Sequence, residues 1–189
     1  MALVLFDISG YTEFIRLNQG TLAHASEAIA QLLEHIVEGA DFPLVLNKFE
    51  GDAAFMYAET QSDEKRAALQ IAQQVLALVP GFRAKVAELA GGTTCPCDAC
   101  QNITNLRLKA VVHAGDVAFR RIRQFEELTG EDVIIVHRLL KNSVSAKEYV
   151  LMTEAFSELL DPAMLSGSRM VTEVYEHLGP ITLRAFSPT

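Results

Sequence analysis

The chain has 189 residues, half of them hydrophobic and 21% charged, enough to bury one sizeable core. Its net charge of −8 argues against nucleic acid and anionic membrane surfaces as partners, yet leaves room for a nucleotide, which a metal ion and a few placed cations hold locally. The opening apolar run stops at Asp7 without a basic leader, nothing approaches the roughly 18 apolar residues of a membrane span, and all three cysteines crowd between 95 and 100, so a cytoplasmic protein is expected.

In chain order, residues 3–7 read as a short buried strand ending at the turn-like Ser9-Gly10. Residues 11–18 and 21–39 read as helices, the second with Ala25, Ile29, Leu32, Leu33 and Ile36 at helical spacing. Pro43 opens an extended run, 44–49, which Glu50-Gly51-Asp52 turns back into a second strand at 53–58. A long helix is predicted over 62–90, kinked or broken at Pro80-Gly81, followed by a cysteine-rich loop at about 91–104.

Residues 106–113 and 116–123 read as a hairpin around Ala114-Gly115. Thr129 is positioned to cap the next helix, 133–140, with Asp132 as its reciprocal partner. A strand at 149–152, a helix near 154–160 and terminal strands at 169–175 and 181–186 complete the chain. The pattern predicts one α+β domain over 1–189, a sandwich with helices packed on one face of a mostly antiparallel sheet. No repeat, low-complexity stretch or interdomain linker interrupts it.

Two segments carry chemistry: Phe6-Asp7-Ile8-Ser9-Gly10-Tyr11-Thr12 and Lys48-Phe49-Glu50-Gly51-Asp52. Asp7 ends a buried strand just before a helix, where the amides of residues 9–12 can meet phosphate oxygens. Asp52 lies at a hairpin tip able to neighbour that strand. Each alone reads equally as a helix cap or an ordinary turn. In this order and at this separation, two carboxylates beside a phosphate cradle suit a magnesium-triphosphate site.

These segments resemble the opening strand and the second metal-binding hairpin of class III adenylate and guanylate cyclases, a ferredoxin-like sandwich. His113-Ala114-Gly115-Asp116-Val117 and the helix at 130–139 resemble later motifs of that family, in the same order. A closer likeness is to bacterial single-domain cyclase-like proteins that share the cysteine cluster and the His-Arg-Leu-Leu-Lys-Asn helix. The resemblance implies a homodimer with nucleoside triphosphate bound at the subunit interface. Asp7, Ile8 and Asp52 would hold Mg²⁺ or Mn²⁺, and Ser9, Gly10, Tyr11 and Thr12 would meet the phosphates. Lys48 and Glu127 of the partner subunit would read the base. Arg138 would steady charge on the reacting phosphate, and Arg123 would meet the terminal phosphates. The implied reaction is attack of the ribose 3′-hydroxyl on the α-phosphate with release of pyrophosphate.

The pattern is incomplete. Ile134 stands where the family has an asparagine, four residues before the arginine, and His177-Leu178-Gly179 replaces its late lysine before glycine. Glu127 is longer than the family's aspartate, which leaves the base open. Loss of one transition-state donor costs about 10²–10³ in rate. The rival readings are a nucleotide-sensing dimer without turnover and a thiol- or zinc-dependent sensor on a cyclase scaffold. Cys95, Cys97 and Cys100 are three thiols within six residues. They admit a zinc site with a fourth ligand from Asp98, a histidine or water, a redox-active dithiol, or inert packing.

Overall fold

The computed structural model describes residues 1–60, 63–92, 95 and 97–187; Ser62, expected to open the long helix, and Pro96, within the cysteine cluster, lie outside the described residues. Strand β1 (Ala2–Ser9) runs through the middle of a seven-stranded sheet, flanked by β3 (Ala53–Ala58) and β4 (Arg107–Ala114), both antiparallel to it. A strand covered on both faces is apolar at nearly every position. Ala2, Val4, Phe6 and Ile8 enter one buried cluster, while Leu3 and Leu5 enter a second on the opposite face. The sheet order is β2-β3-β1-β4-β7-β9-β8, with β2 (Val45–Glu50), β7 (Tyr149–Thr153), β8 (Arg169–Tyr175) and β9 (Gly179–Phe186). Among the described residues only the β4–β7 pairing is parallel.

The first cluster is covered by α1 (Tyr11–Leu17), α2 (Leu22–Gly39), α3 (Glu64–Gly92), the short α4 (Asp98–Asn102) and α6 (Glu154–Ser157). In α2, Ala25, Ile29, Leu32 and Ile36 form the expected buried stripe. Helix α3 is not broken at Pro80: burial of Val75, Leu78, Val79 and Phe82 on both sides of the lost backbone bond holds it together. The second cluster is covered by α5 (Glu131–Leu139), so one helix lies on the face opposite the others.

Two sequence expectations change around Gly115. Strand β4 does not pair with the segment after it, because β1 and β7 already fill both its edges. Instead β5 (Ala118–Ile122) and β6 (Phe125–Thr129) form a separate two-stranded ribbon. Thr129 does not cap α5: its hydroxyl donates to the Ala118 carbonyl at 3.2 Å, and Gly130, at φ 145°, occupies the cap position. Asp132 is engaged elsewhere, accepting the Asp116 amide at 2.7 Å and lying 2.7 Å from His113 Nε2. A Cβ on Gly115 would stand 2.2 Å from the Asp132 carboxyl carbon, so this close approach requires glycine. The helix expected near 154–160 is a single turn, Glu154–Ser157. Among the described residues no helix is long and apolar enough to cross a membrane.

Candidate functional site

Strand register places the first carboxylate. Asp7 faces Ala53 on one side and Lys109 on the other, and Lys109 Nζ lies 2.7 Å from Asp7 Oδ2. The hairpin tip between β2 and β3 turns at Gly51 (φ 67°) and brings Asp52 alongside, where its carbonyl accepts the Ile8 amide at 3.3 Å. Burial first, and the charge of Asp7 second, push the Asp52 carboxyl up from 3.8 to about 6; Lys109 offsets part of this. Two oxygen donors that repel each other in this way fit a hard divalent cation. The Ile8 side chain is a buried hydrocarbon with no donor atom, so only its backbone carbonyl could serve as a ligand. The Ser9 hydroxyl is buried without a hydrogen-bond partner among the described residues, on the Asp7 face of the strand.

Because Asp52 binds its proton more tightly folded than unfolded, its contribution to stability falls as pH rises through about 4 to 6. In calorimetry without divalent cations, the Tm of wild type relative to Asp52→Asn should therefore decline across that window. A difference independent of pH would show that neither burial nor Asp7 acts on this carboxyl.

A second group gathers around Lys48. A break in the β2–β3 register between Leu46 and Lys48 re-aims the strand there, and the Lys48 ammonium pairs with Glu127 of β6. Glu50 lies 3.5 Å from the same ammonium and 2.9 Å from His137 Nε2, which links α5 to the group. The bond to Glu127 is the main cause of a raised Lys48 value. His137 is thus held by Glu50 and by the Val133 carbonyl.

Arg138 and Ile134 lie one turn apart on the exposed side of α5, where Ile134 is 52% accessible while Val136 and Leu139 are buried. Arg123 sits at φ 56° in the turn between β5 and β6. Among the described residues neither arginine forms an ion pair, and no hydrogen bond or ion pair joins Lys48, Glu127, Arg123 or Arg138 to Asp7 or Asp52. The structure therefore separates the expected site residues into a carboxylate group, a lysine–glutamate group and two exposed arginines. Lys109, which sequence reading missed, belongs to the first; its only signal is the β1–β4 register.

The cysteines form a third site. None is in a disulfide, and they surround His24 of α2: Nδ1 lies 3.4 Å from Cys97 Sγ and 3.5 Å from Cys95 Sγ. With Cys100, all four donor atoms fall within 4.8 Å of one another. The Cys97 thiol is pushed down to about 6, first by a hydrogen bond with the Cys100 backbone and then by His24.

A family model described as a protein of unknown function, DUF2652, matches residues 29–149. The chain belongs to that family. Its similarity to the uncharacterized protein Rv2561/Rv2562 of Mycobacterium tuberculosis is 33% identity over 151 residues, 80% of this chain and 69% of the relative. The structure of this DUF2652 protein resembles the adenylyl cyclase CyaB from P. aeruginosa (TM-score 0.65, 15% identity, 100% of this chain and 93% of that one). It also resembles the catalytic core of a rhodopsin-guanylyl cyclase with converted specificity, in complex with ATPαS (0.67, 11%, 98% and 94%). A third likeness is to the guanylyl cyclase Cya2 (0.63, 13%, 97% and 89%). At these identities the likeness is one of fold: this DUF2652 protein has the class III cyclase fold.

Proposed function

We propose that the chain is a dimeric, cyclase-type nucleoside triphosphate-binding protein whose turnover is weakened at Ile134. The observation that carries this reading is the meeting of Asp7 and Asp52 at one end of β1, with Asp52 pushed up by burial and then by its neighbour's charge. Asp7, Asp52 and the Ile8 carbonyl would hold Mg²⁺ or Mn²⁺, which when bound neutralises phosphate charge and makes the ribose hydroxyl more acidic. The Ser9 hydroxyl and the amides of residues 9–12 receive the phosphates. Lys48 and Glu127, side by side and about one-third accessible, present one donor and one acceptor to a base edge. Arg138 steadies charge on the reacting phosphate and Arg123 meets the terminal ones. In cyclisation an O3′–Pα bond forms, the bond from Pα to the bridging oxygen of pyrophosphate breaks, and the hydroxyl proton leaves to solvent.

Among the described residues no hydrogen bond or ion pair joins the base-reading pair to the carboxylates, and in this reading a second copy completes the site. Exposed apolar side chains on the same elements suit such contact: Phe49 on β2, and Ile122 and Phe125 on the ribbon. Light scattering at micromolar concentration should find a two-fold dimer, and Ile122→Asp with Phe125→Asp should dissociate it. A wild-type monomer with and without nucleotide overturns the dimer. Incubation of each ribonucleoside triphosphate with Mg²⁺ or Mn²⁺, followed by mass spectrometry, should yield at most slow formation of a cyclic monophosphate. Absence of both binding and product overturns the functional reading.

A further inference from the structure

The cysteine cluster belongs to none of the nucleotide chemistry, yet its donors converge. Tetrahedral zinc with bonds of about 2.3 Å to sulfur and 2.0–2.1 Å to nitrogen sets ligand edges of about 3.5 Å between N and S and 3.8 Å between sulfurs. His24 Nδ1 already lies 3.4 and 3.5 Å from two of the sulfurs. All pairs among the four atoms lie within 4.8 Å, so none needs to close by more than about 1.3 Å to reach that geometry. We propose that His24, Cys95, Cys97 and Cys100 form a Cys₃His site for one Zn²⁺, with His24 as the fourth ligand.

Thiolate donors select a soft or borderline ion over Mg²⁺, and four protein ligands leave no open position, so the site is structural. It joins α2 to a segment some 70 residues later in the chain. That segment, α4 and the turn after it, packs beside α1, and a Cβ on Gly10 would stand 3.5 Å from the Asn105 carbonyl oxygen. The ion thereby anchors the wall behind the start of α1.

Protein purified under reducing conditions without chelator should contain one zinc per chain by elemental analysis. Replacement with Co²⁺ should give the visible bands of a tetrahedral ion together with thiolate charge transfer. His24→Ala should alter those bands and weaken Co²⁺ binding by at least about 100-fold, and Cys97→Ser should weaken it further. Zinc at about 1,000 times its Kd should raise Tm by roughly 8–16 °C over the metal-free protein. Wild-type protein with no stoichiometric metal and no tetrahedral Co²⁺ spectrum overturns the site, whether or not the variants fold. A folded His24→Ala protein with unchanged Co²⁺ spectrum and affinity overturns the place of His24. Neither measurement depends on nucleotide binding.

Discussion

Asp52→Ala should lower the Mg²⁺-dependent affinity for a nucleoside triphosphate by at least about 100-fold, and Asp7→Ala by a similar factor. Outer-shell partners alone are worth about 10–100-fold in metal affinity, so removal of a direct carboxylate ligand should cost no less. The two variants differ in their effect on the fold. Losing Asp52 removes a carboxyl that burial and Asp7 make unfavourable when charged, and the metal-free protein should not lose stability at neutral pH. Losing Asp7 strands Lys109, whose side chain is only 20% accessible, and some stability goes with it. Asp7→Asn, which keeps the shape and one acceptor oxygen, separates loss of the ligand from loss of the fold. Titration calorimetry with Mg²⁺ and triphosphate is the test, alongside a thermal melt. Equal affinity in folded variants and wild type would make the carboxylate pair a structural feature.

Ile134→Asn should raise cyclisation by about 10²–10³-fold if the missing donor is the main defect. Ile134 does not face the core. It is 52% accessible on the same exposed side of α5 as Arg138, and its backbone amide bonds to the Gly130 carbonyl, as in any first turn. Asparagine there buries no polar group, and isoleucine and asparagine differ little in helix propensity, so stability should change by no more than about 0.5 kcal/mol. An isoleucine beside the arginine offers an attacking ribose no hydrogen bond, whereas an asparagine offers both a donor and an acceptor. Product formation by mass spectrometry, with affinity measured separately, is the readout. Brisk wild-type cyclisation would overturn the impaired site. A folded variant that binds but still does not turn over would place the defect elsewhere, first at the missing late lysine around His177.

Local signals in the sequence determined most of the elements, with β6 and the short α4 as exceptions. The buried run of β1, the helical stripe of α2, the hairpin turning at Gly51 and the strand Arg169–Tyr175 each follow from periodicity or turn chemistry within a dozen residues. Those signals predict an α+β sandwich; the class III cyclase fold came from the resemblance of the motifs, in their order, to that family. What they could not carry was which distant segments meet. The composition of Ala114-Gly115-Asp116 suits a hairpin, but the edges of β4 are occupied by strands from residues 2–9 and 149–153, and nothing local to β4 announces either. Lys109 meets Asp7 only through a register spanning about one hundred residues, and His24 meets the cysteines only because α4 packs on α2. The faces of α5 were likewise decided by tertiary packing. Val133, Ile134, Ile135 and Val136 are all apolar, and only contact with the second buried cluster determines that Val136 turns inward while Ile134 stays beside Arg138 at the surface. Short-range periodicity encodes how a segment folds; the partners of its side chains depend on long-range register and packing, which no local pattern contains.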